Sequence, residues 1–413
     1  MSEWKYNKGE WAEGYVFLKV LGDGRINAGT PDLKPIEDTY IDIKNVQKRL
    51  GNDMFVFRRT QIGRVACLIE CLRNDEKYLV VPSGEFASNA DNLNRYINNI
   101  KGSAFPVPDV QAFIESLGIN SIKSPPMSKD EIEKYGGKTD IFLRVRSSID
   151  NMEEDVGFSI KSHFGSNATL LNCGAGTNYL FEIKNCTDAD MIALNALDSV
   201  KEQLQYIKNS ETLDIEPLGS AILSPKGSDV SGPIFDYNLE HVDSRFPEII
   251  PYMLLSIYGY YEEPKSRSIP DVVETITKAN PLNLRNAKSP YITMFKDFLF
   301  SAFSGLTATK LWDGKKRVTG GYLDVSKDGT LLYFRAISDD QFVSYLFNST
   351  CIDHPSRGNR YQTIHKAALS GVNLENIESI KPDHGDYGYV FKYLEDGIEK
   401  KVLGINFQVR FRN

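Results

Sequence analysis

Hydrophobic and polar positions alternate in two short stretches in the first half of the 413-residue chain. In residues 140–146 every second side chain is apolar, and residues 156–162 repeat the pattern. Strict alternation is typical of a β-strand with one buried face. The polar, acidic residues 147–155 between the two stretches are suited to a turn. The pattern therefore predicts an antiparallel hairpin with one apolar face and one polar face.

The polar face of this hairpin would bring together a carboxylate, a hydroxyl and an amine. If Arg146 and Asp155 close the hairpin, Asp140 falls opposite Lys161, and Ser159 shares their face. Opposed residues of paired strands lie about 5 Å apart with their side chains on one side. If the pairing slipped by one residue, the side chains of one strand would point to the opposite face. The alternative interpretation is a lysine that is simply solvated on an exposed strand.

Apolar residues at intervals of three and four predict helices on both sides of the hairpin. The first helix would span residues 8–21, because Trp11, Tyr15 and Leu18 fall on one face. Residues 188–209 have the pattern of one long amphipathic helix. Strands are predicted in a meander near the start and in a β-rich region at the end, at 53–59, 64–72, 77–81, 321–325, 330–336, 387–394 and 401–411.

Short motifs spread over nearly the whole chain carry a family resemblance. They are residues 7–13 (NKGEWAE), 137–141 (GKTDI), 157–162 (GFSIKS), 169–172 (TLLN), 177–179 (TNY), 320–323 (GGYL), 345–350 (YLFNST), 355–357 (PSR) and 406–411 (NFQVRF). In this order the motifs resemble the HpaII-type restriction endonucleases. The resemblance implies an α/β (α+β) fold with a PD-(D/E)xK nuclease core, that is, a mixed central sheet flanked by helices, and a β-rich C-terminal region.

The same resemblance implies a function. It indicates a type II restriction endonuclease that uses Mg²⁺ to hydrolyse double-stranded DNA at a short site, and it points to a CG-rich site such as CCGG. Most enzymes that cut palindromes act as dimers whose symmetry matches the DNA, so a homodimer is expected. A cognate DNA methyltransferase would belong to the same system, with no direct contact implied. No membrane partner is expected, because no run of the sequence approaches about 18 apolar residues.

In nucleases of this type an acid holds the metal and a lysine orients or activates water, since the metal supplies Lewis acidity and lowers the pKa of its water. The resemblance assigns these roles to Asp140 and Lys161, with the Ile160 carbonyl as a further metal ligand. Ser159 stands where the commonest pattern has a second acid, so another carboxylate is needed. The candidates are Glu10 and Glu13, ranked together, and then Glu182. Two acids near a helix start also simply suit its dipole.

Three further groups of residues are predicted to contact DNA. They are Asn172, Thr177 and Asn178 in one loop, Lys315, Lys316 and Arg317 in the most basic run, and Ser356, Arg357 and Arg360 in another loop. Amide, hydroxyl and cationic side chains bind phosphates or base edges, and arginine paired with guanine is the commonest specific base contact. The alternatives are an ordinary hydrogen-bonded loop and solvated cations. His163 is a candidate general base, although a lone histidine is more often a surface group.

Composition narrows the class of protein. The net charge of −7 argues against a generic nucleic-acid binder, but a nuclease needs a positive field only inside its cleft. Five cysteines without a CxxC pair argue against structural zinc and favour a reducing compartment. No run reaches about 18 apolar residues, and the polar N-terminus is no signal peptide. A cytoplasmic protein is expected.

The chain is long enough for two or three packed units. Residues 1–103 are predicted to form a scaffold of a helix and a small meander, 104–262 the PD-(D/E)xK-like catalytic core, and 263–413 an α/β region for DNA recognition. Two other functions stay open: a non-cleaving DNA-binding protein on a nuclease fold, favoured by Ser159, and a structure-specific or repair nuclease. No glycine-rich phosphate loop or G-x-S-x-G motif supports ATP-dependent or acyl-transfer chemistry.

Overall fold

The computed structural model describes residues 3–30, 32–62, 66–100, 102, 104–123, 139–165, 168–197, 199–221, 223–224, 229–316, 320–335, 339–353, 388–395 and 398–412. These residues form two compact units. Unit 1 is built mainly from Met1–Ala168 and Lys316–Tyr345, and unit 2 from Thr169–Lys315 and Leu346–Arg412. The mixed α/β class expected from the sequence is confirmed. The division at residues 103 and 262 stays a prediction.

Strands and helices both occur in each of the two units. The strands are β1 Arg25–Gly29, β2 Pro35–Leu50, β3 Asp53–Ile62, β4 Ala66–Arg73, β5 Glu76–Pro82, β6 Ile141–Ser147, β7 Glu153–Ser162, β8 Thr169–Leu171, β9 Asn178–Lys184, β10 Asp214–Ser220, β11 Gly321–Val325, β12 Leu331–Arg335, β13 Thr350–Asp353, β14 Gly388–Glu395, β15 Ile398–Asn406 and β16 Gln408–Phe411. The helices are α1 Lys8–Asp23, α2 Ser83–Asn99, α3 Pro108–Ser116, α4 Asp188–Asn195, α5 Val200–Asn209, α6 Ile234–Glu240, α7 Phe246–Ile257, α8 Ile269–Ala279, α9 Lys288–Ser304 and α10 Asp339–Ser349. Within these described residues no helix is both long and apolar enough to cross a membrane.

Unit 1 contains a nine-stranded sheet in the order β1-β12-β11-β7-β6-β2-β3-β4-β5. Strand β1 pairs with β12 and also with β2, so the first six strands of this order close into a six-stranded barrel. The pairs β1–β12 and β7–β11 are parallel, and the remaining pairs are antiparallel. Residues 53–82 form the three-stranded meander predicted from the sequence.

Helix α1 forms where the apolar spacing predicts it. Asn7 Oδ1 accepts a hydrogen bond from Glu10 N–H at 2.9 Å, and Glu10 Oε2 accepts one from Asn7 N–H at 2.9 Å. This reciprocal capping box satisfies two backbone donors that a helix start would otherwise leave without partners. The helix ends at Gly24, whose φ of 77° lies in the left-handed region that favours glycine.

The predicted hairpin β6–β7 forms, but its register is shifted by two residues. Arg146 pairs with Glu153 rather than with Asp155. The turn is shorter than predicted because Ser147 N–H already bonds to Met152 O at 3.1 Å. The polar run between the strands therefore contributes its last residues to β7 instead of to the turn.

The shift changes the residue that stands opposite Asp140. Ile141 pairs with Phe158, so the next position places Asp140 opposite Ser159. The predicted pairing of Asp140 with Lys161 is wrong. Because side chains alternate with a period of two, a shift of two residues leaves all three polar side chains on one side of the strands.

Strands β6, β7 and β11 separate two sets of side chains. One set packs against α1 in a single hydrophobic core, with Trp11, Tyr15 and Leu18 meeting Ile141, Leu143, Val156, Phe158 and Leu323. We call this the α1 side. The alternate residues, which include Asp140, Ser159, Lys161, Tyr322 and Asp324, point the other way, and we call this the Asp140 side. Each of these strands therefore has an apolar face on the α1 side and carries its polar residues on the Asp140 side.

Unit 2 contains a four-stranded sheet, β10-β9-β15-β14, and a three-stranded sheet, β13-β16-β8. Its residues 188–209 form two helices, α4 and α5, instead of the one predicted. Asn195 ends α4 by exchanging hydrogen bonds with the backbone of Val390, at 2.8 and 3.0 Å. Ser199 then caps α5 by accepting from Glu202 N–H at 3.2 Å. The apolar spacing continues across the break, which explains the prediction of a single helix.

The terminal hairpin is also divided. Strand β14 pairs with β15 as predicted, with Glu395 opposite Ile398, but the strand expected over 401–411 is interrupted at Phe407. The Phe407 ring is buried, and it lies 6.2 Å from the rings of Tyr179 and Phe235. Beyond it, β16 joins β13 and β8 in a different sheet.

Candidate active site

Asp140 lies directly before β6 and is held by the neighbouring strand β7. Its backbone N–H donates to Phe158 O at 2.8 Å. Its carboxylate oxygen Oδ2 accepts two hydrogen bonds, from Ser159 Oγ at 3.0 Å and from Ile160 N–H at 2.7 Å. These bonds fix the orientation of a half-buried carboxylate. The acid and the hydroxyl predicted to share a patch are in direct contact.

Lys161 is on the same side of β7, two residues beyond Ser159. The residue is half-buried, and burial lowers the pKa of Lys161, while the nearby Asp140 carboxylate acts in the opposite direction. Its Nζ atom lies 5.5 Å from the ring centroid of Tyr322. A lysine with a lowered pKa is closer to neutrality at ordinary pH, so it can take part in proton transfer more readily than a solvated lysine.

Tyr322 forms the apolar support of this cluster. It occupies β11, directly opposite Ser159 in the parallel register. The side chain is fully buried, and its ring packs edge-on against Phe342 of α10 at 5.3 Å. Burial raises the pKa of Tyr322 well above its usual value, and the Asp140 and Asp324 carboxylates add to the effect. Tyr322 therefore stays a neutral phenol.

Asp324 is a further polar residue that the sequence interpretation missed. It stands opposite Lys161 on β11 and is 2% exposed. Its Oδ2 atom lies 3.1 Å from His163 Nε2 and accepts from the Tyr345 hydroxyl at 3.1 Å. A lone acid in the apolar strand GYLDV was the signal, because a buried carboxylate needs polar partners. His163, a candidate general base, has this ring nitrogen engaged by the acid.

Glu10 and Glu13, the two α1 candidates for the metal site, belong to the helix that packs on the α1 side. Glu10 forms an ion pair with Lys123 in addition to its cap. Burial acts to raise the pKa of Glu10, but hydrogen bonds from Lys123 and Asn7 outweigh it and the net pKa is lowered. Glu13 acts electrostatically on Lys48, whose burial lowers its pKa to about 8. Their role at a metal stays a prediction.

Glu182, the third candidate, lies in unit 2 between two lysines. Its Oε2 atom is 2.8 Å from Lys184 Nζ and 3.1 Å from Lys400 Nζ. Burial acts to raise the pKa of Glu182, but the hydrogen bonds from the two lysines lower it overall. Lys184 also pairs with Glu216 at 2.8 Å. This carboxylate is already compensated by protein charges.

The predicted DNA-contact residues have different environments. Asn172, Lys315 and Lys316 are exposed. Thr177 and Asn178 are buried inside unit 2, where Thr177 Oγ1 lies 3.0 Å from Asn406 Oδ1 and accepts from Gly174 N–H at 2.9 Å. These bonds match the alternative of a hydrogen-bonded loop. The remaining predicted contacts lie outside the described residues, namely Arg317, Ser356, Arg357 and Arg360.

The fold and the site define the class of protein. It is an α/β protein in which a carboxylate held by hydrogen bonds, a hydroxyl and a lysine of lowered pKa lie together on two paired strands. The sequence profile of the HpaII restriction endonuclease family matches residues 7–371. The type II restriction enzyme HpaII of Haemophilus parainfluenzae is 31% identical over 370 residues, which cover 87% of this chain and 94% of that protein. The chain belongs to the HpaII restriction endonuclease family. No solved structure matches it.

Proposed function

We propose that this protein is a Mg²⁺-dependent type II restriction endonuclease that hydrolyses phosphodiester bonds of double-stranded DNA at a short, CG-rich site such as CCGG. Membership of the HpaII restriction endonuclease family makes it a site-specific deoxyribonuclease. The use of Mg²⁺ and the CG-rich site are proposed in addition to this family membership. The observation that carries it is the contact of Asp140 with Ser159 and Ile160, beside Lys161.

The donor set suits Mg²⁺ as a partly hydrated ion. Within the described part of the chain no three histidine, cysteine or acidic side chains gather in one group. Mg²⁺ is commonly held by one or two carboxylates, with water and substrate phosphates completing its shell. Asp140 offers one fixed carboxylate, and the Ile160 backbone lies beside it. We assign Asp140 and the Ile160 carbonyl as ligands, with Glu10 or Glu13 as candidates for a second carboxylate.

The bound metal would supply Lewis acidity at the phosphate and a water of lowered pKa. Lys161 orients the attacking water and takes up its proton more readily because burial has lowered the pKa of the amine. Ser159 holds the Asp140 carboxylate in place through its hydroxyl. Tyr322 excludes water from one side of the lysine. The contacts of Ser159 with Asp140 and of Tyr322 with Lys161 support these roles.

The PD-(D/E)xK core is part of this proposal. It is supported by the hairpin β6–β7, in which the acid precedes one strand and the lysine lies on its antiparallel neighbour. The parallel strand β11 continues the sheet beyond β7. The closed six-stranded barrel is an addition to the mixed sheet that the sequence predicts.

Assembly and partners are proposed on more general grounds. A homodimer would match the two-fold symmetry of a palindromic site. A DNA methyltransferase of the same specificity would protect the host DNA, and a cytoplasmic location follows from that pairing. All three stay predictions for this chain.

Digestion of unmethylated phage DNA tests the proposed function. The purified protein is incubated with Mg²⁺ or with EDTA, and the ends of the products are sequenced. We expect discrete fragments with Mg²⁺ only and one short sequence at every end. A smear or a preference for branched DNA would favour a structure-specific nuclease. Specific binding without cutting would favour the DNA-binding protein that Ser159 makes conceivable.

A further inference from the structure

The glycine at position 157 of β7 leaves space that a neighbouring side chain occupies. A Cβ atom added to Gly157 would stand 2.6 Å from Thr139 Cγ2 and 2.7 Å from Thr139 Oγ1. Non-bonded carbon atoms prefer a separation of about 3.5–4.0 Å. Thr139 is 8% exposed, so its side chain is packed inside the protein. Any side chain at position 157 would therefore displace Thr139.

This contact lies on the Asp140 side of the sheet. Side chains along a strand alternate between its two faces, so position 157 belongs to the same face as Ser159 and Lys161. Thr139 thus lies over Gly157, while the carboxylate of Asp140 lies over Ser159 and accepts its hydroxyl hydrogen bond. Two consecutive residues at the start of β6 therefore contact two successive positions on one face of β7.

The backbone of Gly157 is enclosed by neighbouring strands. On one side it stands opposite Phe142 of β6. On the other side the chain that enters β11 approaches so closely that a Cβ atom added to Gly320 would overlap with Gly157 O. Gly157 is also buried. Because β7 has little freedom to shift here, a side chain at position 157 would have to be accommodated by movement of Thr139.

A movement of Thr139 would be passed on to Asp140. Strand β6 begins at Ile141, so its ladder holds Asp140 from the C-terminal side, and Asp140 N–H donates to Phe158 O at 2.8 Å. Thr139 is the neighbour on the N-terminal side. The peptide unit that joins the two residues is planar and stiff, so a shift of Thr139 changes the direction of the Asp140 backbone.

We infer that Gly157 and Thr139 are positioning residues for Asp140, and that the threonine, packed against the bare backbone of the glycine, sets the place of the carboxylate. The inference rests on the proposed function, in which Asp140 is a ligand of Mg²⁺. Neither residue is assigned a contact with the metal or with DNA. Groups that orient a metal ligand commonly matter about 10- to 100-fold for metal affinity or activity.

The test measures metal binding without DNA. Mn²⁺ takes the same carboxylate, carbonyl and water ligands as Mg²⁺, and free Mn²⁺ is counted by electron paramagnetic resonance. We expect Gly157→Ala to weaken Mn²⁺ binding by about 10-fold and to raise the Mg²⁺ concentration for half-maximal DNA cleavage by about as much. Thr139→Ala creates no overlap and should weaken Mn²⁺ binding less, by about three-fold.

Combining the two substitutions separates positioning from general damage. Thr139→Ala removes both atoms that the new methyl group would strike and leaves Cβ at 3.3 Å from it. The double variant Gly157→Ala/Thr139→Ala should therefore bind Mn²⁺ more tightly than Gly157→Ala and about as tightly as Thr139→Ala. Such a rescue is expected only if the overlap with Thr139 causes the loss.

Gly22→Ala is the matched control. A Cβ atom added to Gly22 in α1 would stand 2.8 Å from the Ala87 backbone of α2, which is similar crowding at a helix contact. Urea unfolding should show lower stability for Gly22→Ala, while its Mn²⁺ affinity and Mg²⁺ requirement should equal those of wild type. The same unfolding measurement establishes that Gly157→Ala is folded under the conditions of the metal titration.

Three results would overturn the inference. They are a folded Gly157→Ala protein with the wild-type Mn²⁺ affinity, a double variant that binds Mn²⁺ no better than Gly157→Ala, and a Thr139→Ala protein with the wild-type affinity. The last applies even if Gly157→Ala does not fold. A wild type that binds Mn²⁺ but cuts no DNA would contradict the proposed function alone, and weaker binding by Thr139→Ala would then still support the positioning of Asp140.

Discussion

Acidic residues and lysines lie together on paired strands in both units, but their charges are compensated differently in the two clusters. In unit 1, the Asp140 carboxylate is held by a hydroxyl and a backbone N–H, and burial lowers the pKa of Lys161. In unit 2, the Glu182 carboxylate lies between Lys184 and Lys400. Hydrogen bonds to Glu182 and Glu216 raise the pKa of Lys184 to about 12.

The difference lies in how each charge is compensated. The unit 2 cluster pairs each lysine with a carboxylate, so both partners are stabilised in their charged forms. The unit 1 cluster keeps a lysine where burial opposes its charge, which makes the folded state less stable than it could be. Perturbed groups of this kind gather at functional sites. We therefore propose that the chemistry takes place at Asp140 and Lys161 and that Glu182 has a structural role.

The largest expected effect is on metal-dependent cleavage. Asp140→Asn should lower the rate of DNA cleavage by more than about 100-fold, since even partners of metal ligands are worth 10- to 100-fold. Glu182→Gln is the matched control and should leave the rate within about two-fold of wild type. Initial rates on plasmid DNA over a range of Mg²⁺ concentrations measure both. Equal losses of cleavage rate in Asp140→Asn and Glu182→Gln would contradict the different roles that we assign to the two clusters.

A smaller effect is expected from the hydroxyl that orients Asp140. Ser159→Ala removes the 3.0 Å hydrogen bond and should lower cleavage by about 10-fold, with a raised Mg²⁺ requirement. Ser159→Thr keeps a hydroxyl and should restore most of the rate. A Ser159→Ala protein with the wild-type rate and Mg²⁺ requirement would show that the hydroxyl does not position the carboxylate.

The role of Glu10 can be separated into capping and metal binding. Glu10→Ala removes the capping box and should lower the free energy of unfolding by about 1 kcal/mol, whereas Glu10→Gln retains a side-chain acceptor at that position. Urea unfolding measures this difference. Loss of cleavage in the stable Glu10→Gln variant would identify Glu10 as the second carboxylate predicted from the sequence. Cleavage by Glu10→Gln at the wild-type rate would show that Glu10 acts only in the helix cap.

The smallest expected effect is on the pH dependence of stability, to which Lys161 and Lys184 should contribute with opposite signs. Lys161 has a folded-state pKa below 10.5, so the unfolded chain binds more protons between that pKa and 10.5, and stability rises with pH across this window. Lys184 has a folded-state pKa of about 12, so its contribution is complete below 10.5 and is lost as pH rises through 12.

Lys161→Met and Lys184→Met make this contrast measurable. Lys161→Met should be at least as stable as wild type at pH 7, and its advantage should shrink as pH rises toward 10. Lys184→Met should be less stable than wild type across the same range. Urea unfolding at pH 7, 8.5 and 10 gives the values. A constant difference for Lys161→Met would contradict the lowered pKa.

The parts of the fold that depend on neighbouring residues could be predicted from the sequence. Helix α1, the meander and the hairpin β6–β7 are each encoded by apolar spacing and a nearby cap or turn. The error of two residues in the hairpin arose because a polar run does not reveal where its turn closes. The break at Asn195 was hidden for a related reason, since the apolar spacing continues through it.

Contacts between distant parts of the chain could not be predicted in this way. The barrel closes through parallel pairing of Asn27 with Leu332, and no local pattern specifies that partner. Asp324 stands opposite Lys161 because β7 pairs with β11, so its place near the site could be seen only in the structure. The buried Thr177 and Asn178 looked like binding residues because burial is not visible in a polar loop.

The most direct measurement compares the two lysines in one digestion assay. Lys161→Ala and Lys184→Ala are incubated with unmethylated phage DNA and Mg²⁺, and binding to the same DNA is measured in EDTA. We predict a loss of cleavage of about 10²- to 10⁴-fold for Lys161→Ala, with binding retained, and wild-type cleavage for Lys184→Ala. Cleavage by Lys161→Ala at the wild-type rate would contradict the assignment of the active site to the Asp140 side of β6 and β7.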